Sequence, residues 1–190
     1  MDQFEYLSVL VSIVLGLGMT HILVGVGRLM RRRRRVTFHW VHSLQIATTF
    51  LYLVNQWWVV FSWAEYPDLS FFHHVFLMSA PVALFLASVL LFPDEDGGEI
   101  SLRGHYVEIQ RPFYLLFSLL YLIDVVDTGL KGLDRFAALG PAYWSMMLTG
   151  FFVVGSAAFV RGPRYHAFVQ PFVFVWLLVV ALVWRTDLAL

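Results

Sequence analysis

FEYLSVLVSIVLGLGMTHILVGVGRLMRRRRR, residues 4 to 35, places the chain in a membrane. Between Phe4 and Met30 the only charged or histidine side chains are Glu5, His21 and Arg28, and five consecutive arginines, Arg31 to Arg35, end the run. A helix rises ~1.5 Å per residue and the hydrocarbon core of a bilayer is ~30 Å thick, so about 20 such residues cross it. The stretch reads as a membrane span closed by a stop-transfer block. Its start lacks a positive n-region and its apolar run is too long for a signal h-region, so the span is expected to be retained.

The same composition continues beyond it. Of 190 residues, 59% are hydrophobic and 14% charged, against about 25% charged in soluble domains. The apolar residues fall into six blocks, Phe4–Arg28, Phe38–Trp63, Phe71–Phe92, Pro112–Leu130, Ala142–Val160 and Ala167–Trp184. This predicts an all-α integral membrane bundle of six transmembrane helices, one domain over residues 1–190, without a soluble domain. Pro67, Pro93, Pro112, Pro141 and Pro163 fall at or between the expected helix ends, where proline is tolerated, while Pro81 and Pro171 fall inside spans three and six.

Basic residues set the threading. With the arginine block on the cytoplasmic side, Arg28, Arg31 to Arg35, Arg103, Arg111, Arg161 and Arg164 lie inside, and only Lys131, Arg135 and Arg185 outside. Both termini are then extracytoplasmic, and the expected location is a bacterial-type inner membrane, multi-pass. Trp57, Trp58, Trp63, Trp144 and Trp184 fall toward the outer ends of their spans, as in an aromatic belt. Next to a span, Arg31, Arg32, Arg33, Arg34 and Arg35 face anionic lipid headgroups, not nucleic acid.

Several chemistries are absent. The chain has no cysteine, which removes disulfides, thiolate nucleophiles and iron–sulfur ligands. No nucleophile elbow, P-loop or metal-binding His/Glu spacing occurs, so no catalytic residue, metal or cofactor is expected. The acidic turn Asp94 to Glu99 lacks the ligand spacing of a calcium loop and reads as solvated.

Polar residues that remain inside the spans carry the functional signal, because each is costly in hydrocarbon unless it meets protein or water. In span one, Ser8, Ser12, Gly16 and Thr20 share one face with Glu5, and Gly18, His21 and Gly25 share the roughly opposite face, so both sides suit close helix packing. In span two, His42, Gln45, Thr49, Tyr52 and Gln56 form one stripe, stepping by three and four residues. In span four, Tyr114, Ser118, Tyr121, Asp124 and Thr128 form another, flanked by Asp127 and Lys131, which are spaced for an ion pair. Ser145, Thr149 and Ser156 suggest a packing face on span five. Spans one, two and four are therefore expected to build the interior, with spans three and six toward lipid.

These stripes suit an oligomeric channel or transporter for a cation or proton, its path lined by Glu5, His21, His42, Gln45, Thr49, Gln56, Tyr121, Asp124 and Asp127. They equally suit a structural or accessory subunit whose polar faces are seams to a partner membrane protein. A third reading is a haem-binding redox protein using His21 and His42 as axial ligands.

Overall fold

The computed structural model describes residues 3–66, 70–94 and 98–186. Glu95 to Gly97 of the acidic turn, Pro67, and the side chains of Trp184 and Arg185 lie outside the described residues. Six α-helices account for most of the rest: α1 (Gln3–Arg31), α2 (Trp40–Phe61), α3 (Phe71–Leu90), α4 (Leu102–Leu130), α5 (Leu133–Ala157) and α6 (Pro163–Thr186). Five of them, all but α2, are long and apolar enough to cross a membrane. At 22 residues, α2 is about 33 Å long and so of sufficient length; its polar stripe is what dilutes its hydropathy. The chain is a polytopic, all-helical membrane protein with no soluble domain among the described residues.

Two helices begin nine or ten residues before their apolar blocks. The Ser101 hydroxyl accepts from the Gly104 backbone N–H, capping α4 ten residues before Pro112, and the helix continues through that proline. α5 starts at Leu133 and is two helical pieces meeting at Gly140, whose φ of 65° only glycine adopts freely, just before Pro141. Hydropathy marks the apolar part of a helix. Polar caps extend it.

Helices α2, α3, α4, α5 and α6 each pack on the next, and α6 closes back on α2, so the five form a ring. α1 lies outside that ring, against α2 and α3. It presents Leu7, Val11, Leu15 and Ile22 inward, with Gly18 and Gly25 on the same side. A Cβ on Gly18 would come within 3.0 Å of Leu53, and one on Gly25 within 2.6 Å of the Phe92 ring. The Ser8–Thr20 face instead looks outward, and Trp57 Nε1 donates to Ser12 Oγ on it at 2.9 Å. α1 is thus a flanking helix and not the centre of packing that its two small faces suggested.

At the arginine end, Arg33–Arg35 form a 3-10 turn leading into β1 (Val36–Thr37). β1 pairs in parallel with β2 (Ile100–Ser101), Val36 opposite Ile100 and Thr37 opposite Ser101. This short ladder ties the arginine block to the start of α4. At the opposite end Trp57, Trp58 and Trp144 are exposed, as a belt requires, but Trp63 is buried.

Candidate functional site in the ring interior

The span-two stripe faces the inside of the ring. His42, Gln45 and Thr49 are fully buried, as is Thr48 beside them, while Tyr52 and Gln56 are half-buried. The interior polar groups gather into two clusters, one at each end.

In the arginine half the groups come from α2, α4 and α6. The Tyr106 hydroxyl lies 2.8 Å from His166 Nδ1 and 2.8 Å from the Tyr114 hydroxyl. Tyr114 donates to Gln170 Oε1 at 2.9 Å, and Gln170 Nε2 donates to Thr48 Oγ1 at 3.0 Å. His166 Nε2 sits 2.7 Å from the Val160 carbonyl. A carbonyl only accepts, so Nε2 carries a proton. A neutral His166 then presents a lone pair at Nδ1, which takes the Tyr106 proton. With Tyr114 donating to Gln170, no proton is left for the contact between the two tyrosines. The chain closes in two ways. Either His166 is the imidazolium and every donor points toward Gln170, or the Gln170 amide turns over and every donor points toward a neutral His166.

His42 repeats the arrangement. Its Nε2 lies 2.9 Å from the Leu91 carbonyl and its Nδ1 3.1 Å from Gln45 Oε1. Two acceptors demand a doubly protonated ring; turning the Gln45 amide lets its Nε2, buried without a partner as placed, donate to a neutral one. His105 packs edge-on to His42 at 5.6 Å between centroids, and its Nε2 reaches the Leu90 carbonyl at 2.9 Å. Both ring nitrogens of His42 are engaged, while His21 lies elsewhere, packed on Phe92 beside Arg28.

In the other half Asp127 is the hub. Its Oδ1 accepts from Trp63 Nε1 at 2.7 Å, and its Oδ2 pairs with Lys131 Nζ at 2.6 Å. Lys131 also donates to Ser62 Oγ at 2.8 Å and stands over the Trp63 ring. Its side chain is only 3% exposed. Burial holds the ammonium below its ordinary pKa of 10.5, with Asp127 opposing that shift. Tyr143 of α5 donates to Asp124 Oδ2 at 3.0 Å and lies 3.1 Å from Thr128.

Asp124 and Asp127 line a cavity of about 80 Å³ inside the ring, together with Tyr52, Asn55, Gln56 and Tyr121. A water needs roughly 10–15 Å³ of such space, so several fit. A second cavity of about 120 Å³ shares both carboxylates and continues past Lys131 and Arg135. Between the two halves Phe117 stacks on Phe113 and meets the Tyr52 ring edge-on, an aromatic layer across the middle.

The expected path residues are thus partly gathered. Gln56, Tyr121, Asp124 and Asp127 share the cavity, and His42, Gln45 and Thr49 continue the α2 face toward the arginine end. Glu5 and His21, on the flanking α1, are not brought to the ring interior; Glu5 is exposed and His21 half-buried. On α5 the buried face is Tyr143, Gly150, Val154 and Ala157; Ser145 and Thr149 are exposed, and only Ser156 finds a side-chain partner on another helix, Tyr165.

Tyr106, His166, Gln170, Trp63 and Tyr143 were not singled out from sequence as interior groups. Tyr106 precedes the apolar block of span four, and a single polar pair looks minor in α6. The spacing His166, Gln170, Val173, Leu177 does mark the buried face of that helix.

Among the described residues no three His, Asp or Glu side chains converge as metal ligands. No family model, curated protein or solved structure matches the chain.

Proposed function

We propose that the protein moves protons across a bacterial-type inner membrane, as a channel or a proton-coupled transporter, by a path inside the ring of α2 to α6. The observation that carries this reading is the buried chain His166–Tyr106–Tyr114–Gln170–Thr48, in which proton number and donor direction are interlocked. A proton taken up at His166 from the arginine side aligns every donor toward Gln170. Passing it on moves the Tyr114 proton to Gln170 Oε1 and a Gln170 Nε2 proton to Thr48, whose own hydroxyl proton leaves toward the other half. The imidic acid so formed turns over and gives back the amide as the next proton passes. Asp124, in a cavity with room for water, is the acceptor in the other half. Asp127 is held by Lys131 and Trp63 and serves to fix the geometry. Phe117 is the barrier between the halves, and its displacement is the gating step.

The path is enclosed by one chain, so transport needs no oligomer. A homo-oligomer, or a partner subunit, would seat on the outward face of α1, where Gly16 and Gly27 have open space at the Cβ position.

The test is reconstitution of the full chain into vesicles holding a pH-sensitive dye, with a potassium diffusion potential as driving force. Proton entry above the leak of empty vesicles, lost in Tyr106→Phe and in Asp124→Asn, is expected. A wild-type rate equal to empty vesicles overturns the reading and favours the accessory-subunit role.

A further inference from the structure

A groove of about 590 Å³ opens on the outer surface between α1 and α2 at the arginine end. Its walls are Ile22, Leu23, Val26 and Met30 of α1 and Ile46 and Phe50 of α2. Leu23 and Met30 are exposed, 61% and 69%, so the groove faces the lipid and not another part of the chain. Arg33 is the one charged residue lining it, and it stands at the membrane-edge end. Arg31, Arg34 and Arg35, its neighbours in the chain, are exposed.

Three properties define what fits. The walls are hydrocarbon, so the occupant there is an alkyl chain. From Ile22 to Met30 the groove extends about 12 Å along α1, close to the depth of one leaflet of a ~30 Å core. Positive charge occurs at one end only, the end at headgroup level. We infer that this is a binding site for an anionic phospholipid of the arginine-side leaflet, one acyl chain lying between α1 and α2 and the phosphate at Arg33. Guanidinium donors match phosphate oxygens in planar, bidentate fashion. A zwitterionic lipid offers the same chain, but its choline sets a like charge near the arginines. The lipid would tie flanking α1 to the ring where β1 and β2 also join the two, and it does so whether or not the ring conducts protons.

The test is native mass spectrometry of the detergent-solubilised full chain, titrated with dioleoyl phosphatidylglycerol or dioleoyl phosphatidylcholine. Wild type should retain the anionic lipid in preference to the zwitterionic one. Ala47→Trp and Leu23→Trp fill the groove from α2 and α1 respectively, at exposed positions where folding tolerates the change, and each should abolish retention. Arg33→Gln should keep a lipid in the groove but lower the preference by roughly fivefold, the effect of one basic residue at an anionic surface. Val175→Trp, on the exposed face of α6, should change nothing. Equal retention of the two lipids by wild type overturns the proposal. So does unchanged preference in both groove-filling variants, which would leave diffuse attraction to the arginines. Displacement of the lipid by glycerol phosphate would mark a soluble phosphate site and overturn it as well.

Discussion

Tyr106 and His166 stand 60 positions apart in the chain, and their side chains meet at 2.8 Å inside the ring. One belongs to the first turns of α4, the other to the first turns of α6. Their contact joins two helices through a proton whose position depends on the charge of the imidazole. It is the entry to a buried hydrogen-bond chain of five side chains.

Removing the Tyr106 hydroxyl leaves His166 Nδ1 and the Tyr114 hydroxyl each short of a partner. Tyr106→Phe should therefore cost about 1–3 kcal/mol of stability, the usual penalty for an unsatisfied buried polar group, and stop proton entry into vesicles. Thermal unfolding in detergent and the dye assay read the two effects separately. A variant that is destabilised but still conducts would remove the tyrosine from the path.

Asp124 and Asp127 are three residues apart and should behave differently. Asp124→Asn faces the cavity and should leave the unfolding midpoint near wild type while abolishing flux. Asp127→Asn strands a buried ammonium and should cost about 3–5 kcal/mol. Adding Lys131→Met to Asp127→Asn should recover part of that loss, which a double-mutant cycle measures. Additive losses would mean that the pair at 2.6 Å is not coupled.

Lys131 also sets a pH dependence. Burial lowers its folded pKa below 10.5, so between the two values the unfolded chain binds more protons than the folded one. Stability from this group therefore rises with pH across that window and is flat below the folded value. Chemical unfolding at alkaline pH should show the rise in wild type and lose it in Lys131→Met. A fall in wild-type stability across the window, not traced to other groups by the variant, would contradict a buried ammonium.

Gly150 on α5 lies flat against the Tyr121 ring, and an added Cβ would overlap it. Gly150→Ala should push Tyr121 from the cavity wall and cost about 1–3 kcal/mol, as overpacking does. An unchanged melting curve would show that α4 and α5 separate freely. Gly16→Ala, which meets open space, is the matching control.

The threading is open to a clean labelling test because the chain has no cysteine. In right-side-out cells a membrane-impermeant maleimide should reach Ala64→Cys and not Arg103→Cys. The reverse pattern would invert the whole topology.

Much of this molecule can be read before any fold is known. Six helices, the membrane and the arginine end follow from local physics: apolar length, the cost of bare backbone in lipid, and clustered positive charge. The α2 stripe and the Asp127–Lys131 pair are equally local, since a spacing of three or four residues puts side chains on one face. What that spacing leaves open is which neighbour a face meets. Two small-residue faces on the first helix suited a central position, yet only packing seats α1 outside and closes α2 to α6 into a ring. Asp124 finds Tyr143, Asp127 finds Trp63, and Tyr106 finds His166 because separate helices converge there. No periodicity within one helix encodes the partner supplied by another. The stretch from Phe4 to Arg35 thus established the membrane and the orientation expected in it. The tertiary structure alone assigned that stretch a flank, a lipid-facing groove, and a polar interior built without it.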